Sequence, residues 1–345
     1  MAAVEGTESA DRDGTVLPIA SANFVRLSVA PTARACAAAG IVTAALETHQ
    51  TPFHASIGHP PESPESDTTT IGIGGTPAGE AAIAVDPRSV IDAVGMDDST
   101  GSLDGLVTTI RHPTEHPDDT LGLPTTEWTA DLSMSTIVHG PFSGDESTAW
   151  IDEYGDGDDR TVRSAIGLAC LDDHPTTSMA TAVETRLGAR ELEDGPFATD
   201  VGAFDVLDVL CDRHAGLALA VCCGHRQASD TALETWRREA LAVHRAIDEC
   251  IGDETLDEKA LLTVNDVPLV PFLRLCSTIR GLEEPLAVTD GTTVAVAVSP
   301  DLENRCAEQI SSDVTRPVPH GDGRISGPIA GDVDAIVSAV KEVMA

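Results

Sequence analysis

Apolar and polar positions alternate through Phe24–Val29, and after a short polar turn the small residues Ala, Gly and Val gather into a helical pattern from about Ala33 to Glu47. Short β-favouring runs at 53–57, 69–73 and 82–85 then predict strands, giving a β-α-β-β opening. A brief helix at 89–94 and a strand at 106–110 are expected in the Gly-, Pro- and Asp-rich stretch that follows.

From Asp131 the pattern becomes mainly helical, interrupted by acidic loops such as DEYGDGDDR. Ala203–Arg213 places Phe204, Leu207 and Leu210 on one helical face. GLALAVCC, 216–223, reads as a buried strand. Asp230–Ile251 is the clearest helix, with Thr231 and Glu234 as a capping pair and Leu233, Trp236, Ala240, Val243 and Ile247 in one stripe. Beyond it, ALLTVND predicts a strand and PLVPFLRLCSTIRG a helix closed by Gly281. PLAVTDGTTVAVAVS predicts a hairpin turned at Asp290-Gly291, followed by helices at 301–311 and 332–344.

The expected fold class is therefore α/β in two lobes. Residues 1–20 form a mobile acidic lead-in, 21–130 an α/β domain, 131–255 a mainly helical connector, and 256–345 a small C-terminal α/β domain. A chain of 345 residues has room for about two domains.

Composition changes the picture in one respect. There are 57 Asp and Glu residues against 21 Lys and Arg, a formal net charge of -36, and the only lysines are Lys259 and Lys341. With aromatics at 3%, this balance points to a cytoplasm kept at molar salt, where the screening length falls to about 3 Å. Acidity then reports habitat more than partner, and any nucleic-acid binding rests on stacking, hydrogen bonds and a few local arginines. The eight cysteines lack CxxC or zinc-ligand spacing and read as small buried hydrophobes in a reducing compartment. No apolar run approaches the roughly 20 residues of a membrane span, and the polar N-terminus supports no signal peptide, so a cytoplasmic location is expected.

Candidate chemistry begins at the first strand end. Ala30, Pro31, Thr32 and Arg34 occupy a turn where ligands commonly gather, and no carboxylate intervenes before Glu47. At the other end of the chain, VPHGDGRISGPIAGD (318–332) combines four glycines with Arg324. It is either a phosphate cradle or an ordinary flexible connection. His139, Ser143 and Asp145 lie close together without a nucleophile elbow and read as a hinge. His112 and His116 have metal-like spacing, but Pro113 and Pro117 oppose a helix there. Asp172–His174 marks a helix end, GIGGTPAG (72–79) has the wrong spacing for a dinucleotide loop, and Cys222-Cys223 reads as packing.

Taken together, FVRLSVAPTARACAAAGIVTAALETHQTPF, LLTVNDVPL, EEPLAVTDGTTVAVAV and HGDGRISG resemble the RecJ-like DHH-family phosphoesterases, and more narrowly the short archaeal RecJ-like exonucleases, over about 24–343. That resemblance implies an N-terminal DHH-like domain, a helical connector and a C-terminal DHH-associated domain, with ligand in the cleft between lobes. It also implies a two-manganese site held by Asp and His motifs at strand ends. Here those motifs are degenerate: Ala30–Arg34 replaces the first acidic run, and Gly75, Thr76 and Pro77 follow the third strand. Asp86 alone stands at a family ligand position, with Pro87 and Arg88 in place of two histidines. One carboxylate cannot hold two metals.

The resemblance further implies a glycine-rich nucleic-acid clamp, matched by His320, Gly321, Gly323 and Arg324. Arg34 and Arg88 either take phosphate where the metals are lost or are surface residues. The expected function is a catalytically degenerate single-stranded DNA- or RNA-binding or assembly subunit in DNA replication or repair. It would associate with replication or repair proteins, need no cofactor and avoid the membrane, in parallel with the eukaryotic replicative-helicase accessory factor of the superfamily. Two alternatives are a divergent manganese-dependent single-strand exonuclease using Asp86, Asp92, Asp97 and His112, and a protein scaffold without a nucleic-acid role.

Overall fold

A computed structural model describes residues 17, 19–58, 68–74, 82–94, 120–154, 157–192, 195–252, 260–281 and 286–345. The chain starts with β1 (Val25–Val29), α1 (Ala33–Thr48), β2 (Phe53–Ile57), β3 (Thr69–Ile73) and β4 (Ala82–Val85). These strands form one parallel sheet in the order β2-β1-β3-β4, with Leu27 opposite Ala55 on one side and Ile71 on the other. Thr32 caps α1 by accepting from the Ala35 N–H at 3.2 Å. Twelve of the sixteen residues of α1 are buried, which its run of Ala, Gly and Val permits.

A 3₁₀ turn at Pro87–Ser89 leads into α2 (Val90–Val94). The central section holds β5 (Thr120–Leu121), α3 (Trp128–Leu132), α4 (Thr148–Tyr154), α5 (Asp159–Asp173), α6 (Thr177–Arg186) and β6 (Gly188–Ala189). It continues with α7 (Asp200–Arg213), α8 (Ala215–Cys222) and α9 (Arg226–Gly252). Helix α8 is the segment expected as a strand. An eight-residue apolar run has no periodicity that separates a buried strand from a buried helix, and Ala and Leu favour the helix once α1, α7 and α9 surround it. Helix α9 begins at Arg226 rather than Asp230, directly after Gly224 stops α8 at φ 80°, so Thr231 and Glu234 lie inside the helix.

The C-terminal lobe comprises β7 (Leu261–Thr263), α10 (Leu269–Arg280), β8 (Leu286–Thr289), β9 (Thr293–Ala297), α11 (Glu303–Gln309), β10 (Val318–Pro319), β11 (Arg324–Pro328) and α12 (Val333–Met344). Its sheet runs β10-β11-β9-β8-β7, antiparallel except for the β7-β8 pair. Ala295 and Ala297 pack towards the central section, whereas Val294, Val296 and Val298 pack with Ile336 and Val340 of α12. The period-two alternation thus buries both sheet faces. Residues 318–328, expected as a loop, form a hairpin instead, paired on β9 through Ile325 and Val296. Among the described residues, no helix is long and apolar enough to cross a membrane.

Close packing of α1 on α8 depends on Gly40. A Cβ there would lie 2.3 Å from the Cys222 carbonyl oxygen, and backbone cannot yield as a side-chain tip can. Gly40→Ala is expected to cost about 3 kcal/mol through overpacking, read as a lowered urea midpoint at fixed molar KCl.

Candidate ligand cleft

The carboxyl ends of β1, β3 and β4 and the turn after β2 open into one cleft of about 1180 Å³. Its sheet-side wall carries Ala30, Pro31, Thr32, Arg34 and Asp86, and its far wall Glu303, Arg316, His320 and Gly321. Parallel strands direct their carboxyl ends, and the loops that follow them, to one edge of the sheet, so this position follows from the fold.

A hydrogen bond joins the two walls. Arg34 Nη1 donates to the Gly321 carbonyl at 2.7 Å. Gly321 has φ 84°, which favours glycine, and a Cβ on it would lie 2.7 Å from that same Nη1 and displace the tip of Arg34. Opposite, the Glu303 carboxylate holds the hairpin turn, accepting from Gly321 N–H at 2.6 Å and Gly323 N–H at 3.3 Å. Burial raises the Glu303 carboxyl above its usual value, against the pull of those N–H groups.

The sequence-predicted residues separate into three groups. Arg34, Asp86, His320 and Gly321 line the cleft together. Gly323 and Arg324 do not: Arg324 is buried, its Nε donating to Asp322 Oδ1 at 2.9 Å and its Nη2 to Asp208 Oδ2 at 3.0 Å. Their carboxylates hold the guanidinium charged despite its burial, and it is not presented to a ligand in the cleft. Gly323 instead packs its Cα against the Val298 carbonyl, where a Cβ would come within 2.2 Å. Arg88 has its backbone in the 3₁₀ turn after β4, and its side chain lies outside the described residues, as does that of Asp92. Gly75, Thr76, Pro77, Asp97, the strand expected at 106–110, His112 and His116 also lie outside them.

The short Ser/His/Asp set does not assemble. His139 Nδ1 lies 3.0 Å from His244 Nδ1 and its Nε2 3.1 Å from Asp248, Ser143 Oγ accepts from Gly140 N–H, and Asp145 pairs with Arg245. Glu303 and Arg316 were missed by sequence reasoning, since neither belongs to a local motif. Glu303 stands 18 residues before the turn it holds, and only the packed hairpin reveals its role.

A protein of Haloarcula marismortui, described as uncharacterized, is 30% identical over 354 residues, covering 92% of this chain and 94% of that protein. The chain belongs to that protein's family. No family model matches the chain. Among solved structures, the manganese complex of RecJ from Thermus thermophilus is similar at TM-score 0.41 and 13% identity, over 97% of this chain. The chain spans only 55% of that RecJ. A manganese-bound exonuclease RecJ gives TM-score 0.37 and 12% identity, covering 93% of this chain and 89% of its own. CDC45 from Entamoeba histolytica gives TM-score 0.43 and 9% identity, covering 93% and 95%. At these identities and scores none of the three carries an activity over to this chain.

His320 faces Ser326 Oγ at 2.9 Å, and burial, with Arg324 beside it, lowers its pKa from 6.5 to about 4. Because the folded value lies below the unfolded one, the unfolded chain binds the proton first as pH falls, and stability is lost from pH 6.5 down to about 4. His320→Gln keeps a nitrogen near Ser326 but does not titrate. It is expected to remove about 1.4 kcal/mol per pH unit of that acid-side loss, measured from urea midpoints across this range.

Proposed function

We propose that the protein is a RecJ-like member that binds a single-stranded nucleic acid in this cleft without hydrolysing it, acting as a binding or assembly subunit in DNA replication or repair. The observation that carries the reading is a single cleft joining Ala30–Arg34 and Asp86 to the far-wall residues Arg316 and His320. At about 1180 Å³ it exceeds the usual range of about 300–1,000 Å³ for small-molecule pockets, and it suits an extended ligand. The RecJ-like sequence phrases supply the ligand class. Arg34 stands where the resemblance would place metal-binding carboxylates, and Arg316, exposed on the facing wall, adds a second cation.

A manganese pair does not fit the described residues. Among them, no group of three or more His, Cys, Asp or Glu side chains converges to hold a metal ion. The exonuclease reading would rest on Asp86 with partners such as Asp97 and His112, which lie outside the described residues.

The net charge of -36 opposes a polyanion at low salt, but at molar ionic strength repulsion beyond about 3 Å is screened, and short-range contacts decide. Fluorescence anisotropy with labelled oligo-dT and oligo-U in molar KCl is expected to show saturable binding. Arg316→Ala should weaken it roughly ten-fold, the scale of one charge-assisted hydrogen bond. With manganese added, the oligonucleotide should remain full length. Shortening that disappears in Asp86→Ala would establish the exonuclease reading instead, and absence of binding would favour the scaffold.

A further inference from the structure

A second pocket, of about 230 Å³, shares none of the cleft's lining residues. Arg186, Arg274 and Arg324 line it together with Asp322, Thr177 and Ser178. Each arginine has one nitrogen withheld from solvent and without a hydrogen-bond partner: Arg186 Nη1, Arg274 Nε and Arg324 Nη1. Among the described residues only five buried side-chain polar atoms are in this condition, and three of them border this one small pocket. Buried donors are ordinarily paired, so three orphans on three different elements point to an acceptor that arrives from outside the chain.

The surrounding groups narrow its chemistry. Arg274 is paired with Asp205 and Asp208, and Arg324 with Asp208 and Asp322, yet Arg186 enters no ion pair among the described residues. Burial, with the neighbouring Arg274, pushes Arg186 down to about 10, against the opposing pull of the Asp322 and Asp208 carboxylates. The hydroxyls of Thr181, Thr185, Ser277 and Thr278 already donate to helix carbonyls, which leaves the guanidinium groups as the main donors. Thr177, Ser178, Thr181, Thr185 and Arg186 all line the pocket, so the flank of α6 forms one of its walls. Donors from several directions match a tetrahedral oxyanion better than a planar carboxylate, and guanidinium groups match phosphate oxygens in particular.

We propose that this pocket binds a phosphate group, whose oxygens accept from Arg186, Arg274 and Arg324. The site is separate from the cleft and would hold either free phosphate or the terminal phosphate of a mononucleotide.

The test uses the full-length protein in molar KCl free of phosphate buffer, titrated separately with inorganic phosphate and with adenosine monophosphate. Thermal unfolding is expected to shift upward saturably with at least one of them. A response to inorganic phosphate identifies the free anion, and a response to the nucleotide alone identifies a phosphate carried on a larger ligand. Arg186→Gln keeps much of the side-chain volume and breaks no ion pair, and it should raise the half-saturating concentration about ten-fold or more. Arg316→Ala, on the other cleft, should leave it unchanged. Phosphorus NMR line broadening on the wild-type protein gives an independent readout should Arg186→Gln fold poorly. Absence of saturable stabilisation and of broadening with both probes, or an unaltered response in folded Arg186→Gln, would overturn the proposal.

Discussion

The structure turns on one carboxylate, Asp208. Its Oδ2 accepts from Arg274 Nη1 at 2.6 Å and from Arg324 Nη2 at 3.0 Å, joining the central helix α7 to α10 and to the C-terminal hairpin. Arg274 Nη2 reaches on to Asp205 at 2.7 Å and to the Thr136 carbonyl at 3.0 Å, so the network also secures the chain before α4. Burial alone would raise the Asp208 carboxyl, and the two guanidinium groups outweigh it and hold it ionised. Losing one member of such a cluster leaves a buried charge unpaired, at a typical cost of about 3–5 kcal/mol.

This arrangement matters more for a chain of this composition than it would in dilute buffer. Exposed pairs such as Arg213 with Asp266, whose carboxylate side chain is 98% exposed, are weakened where the screening length is about 3 Å. Pairs removed from solvent are screened far less. With only 21 Lys and Arg residues available, the protein places Arg274 and Arg324 inside, where salt weakens their pairing far less. They fix the hairpin from one side while Glu303 fixes its turn from the other, and Gly321 is thereby brought to Arg34. That contact joins the two walls of the cleft.

Local signals made the N-terminal sheet legible. Strands 53–57, 69–73 and 82–85 fall on the residues their β-favouring runs indicate, and Gly281 closes its helix at φ 91° as the C-cap pattern implies. Segment 215–222 was not legible, because a buried run surrounded by three helices has no polar face to betray its period. The hairpin at 318–328 was hidden for a different reason. Glycines there signal a turn, but pairing with β9 some 30 residues earlier decides that the flanks are strands. That pairing turns Arg324 away from the cleft and into contact with Asp208, a neighbour 116 positions away that no local spacing reveals. Arg34, Asp86, His320 and Gly321 were found because each marks a strand end or a turn, whereas Glu303, Arg186 and Asp208 act through tertiary packing alone.

The most direct test of the central claim is photo-crosslinking of the full-length protein to single-stranded oligonucleotides carrying 4-thiothymidine or 4-thiouridine in molar KCl, with crosslinked peptides mapped by mass spectrometry. The account predicts crosslinks on peptides containing Ala30–Arg34 and Arg316–Gly321, on an oligonucleotide that remains intact. Crosslinks confined to other surfaces, or none at all, would contradict it.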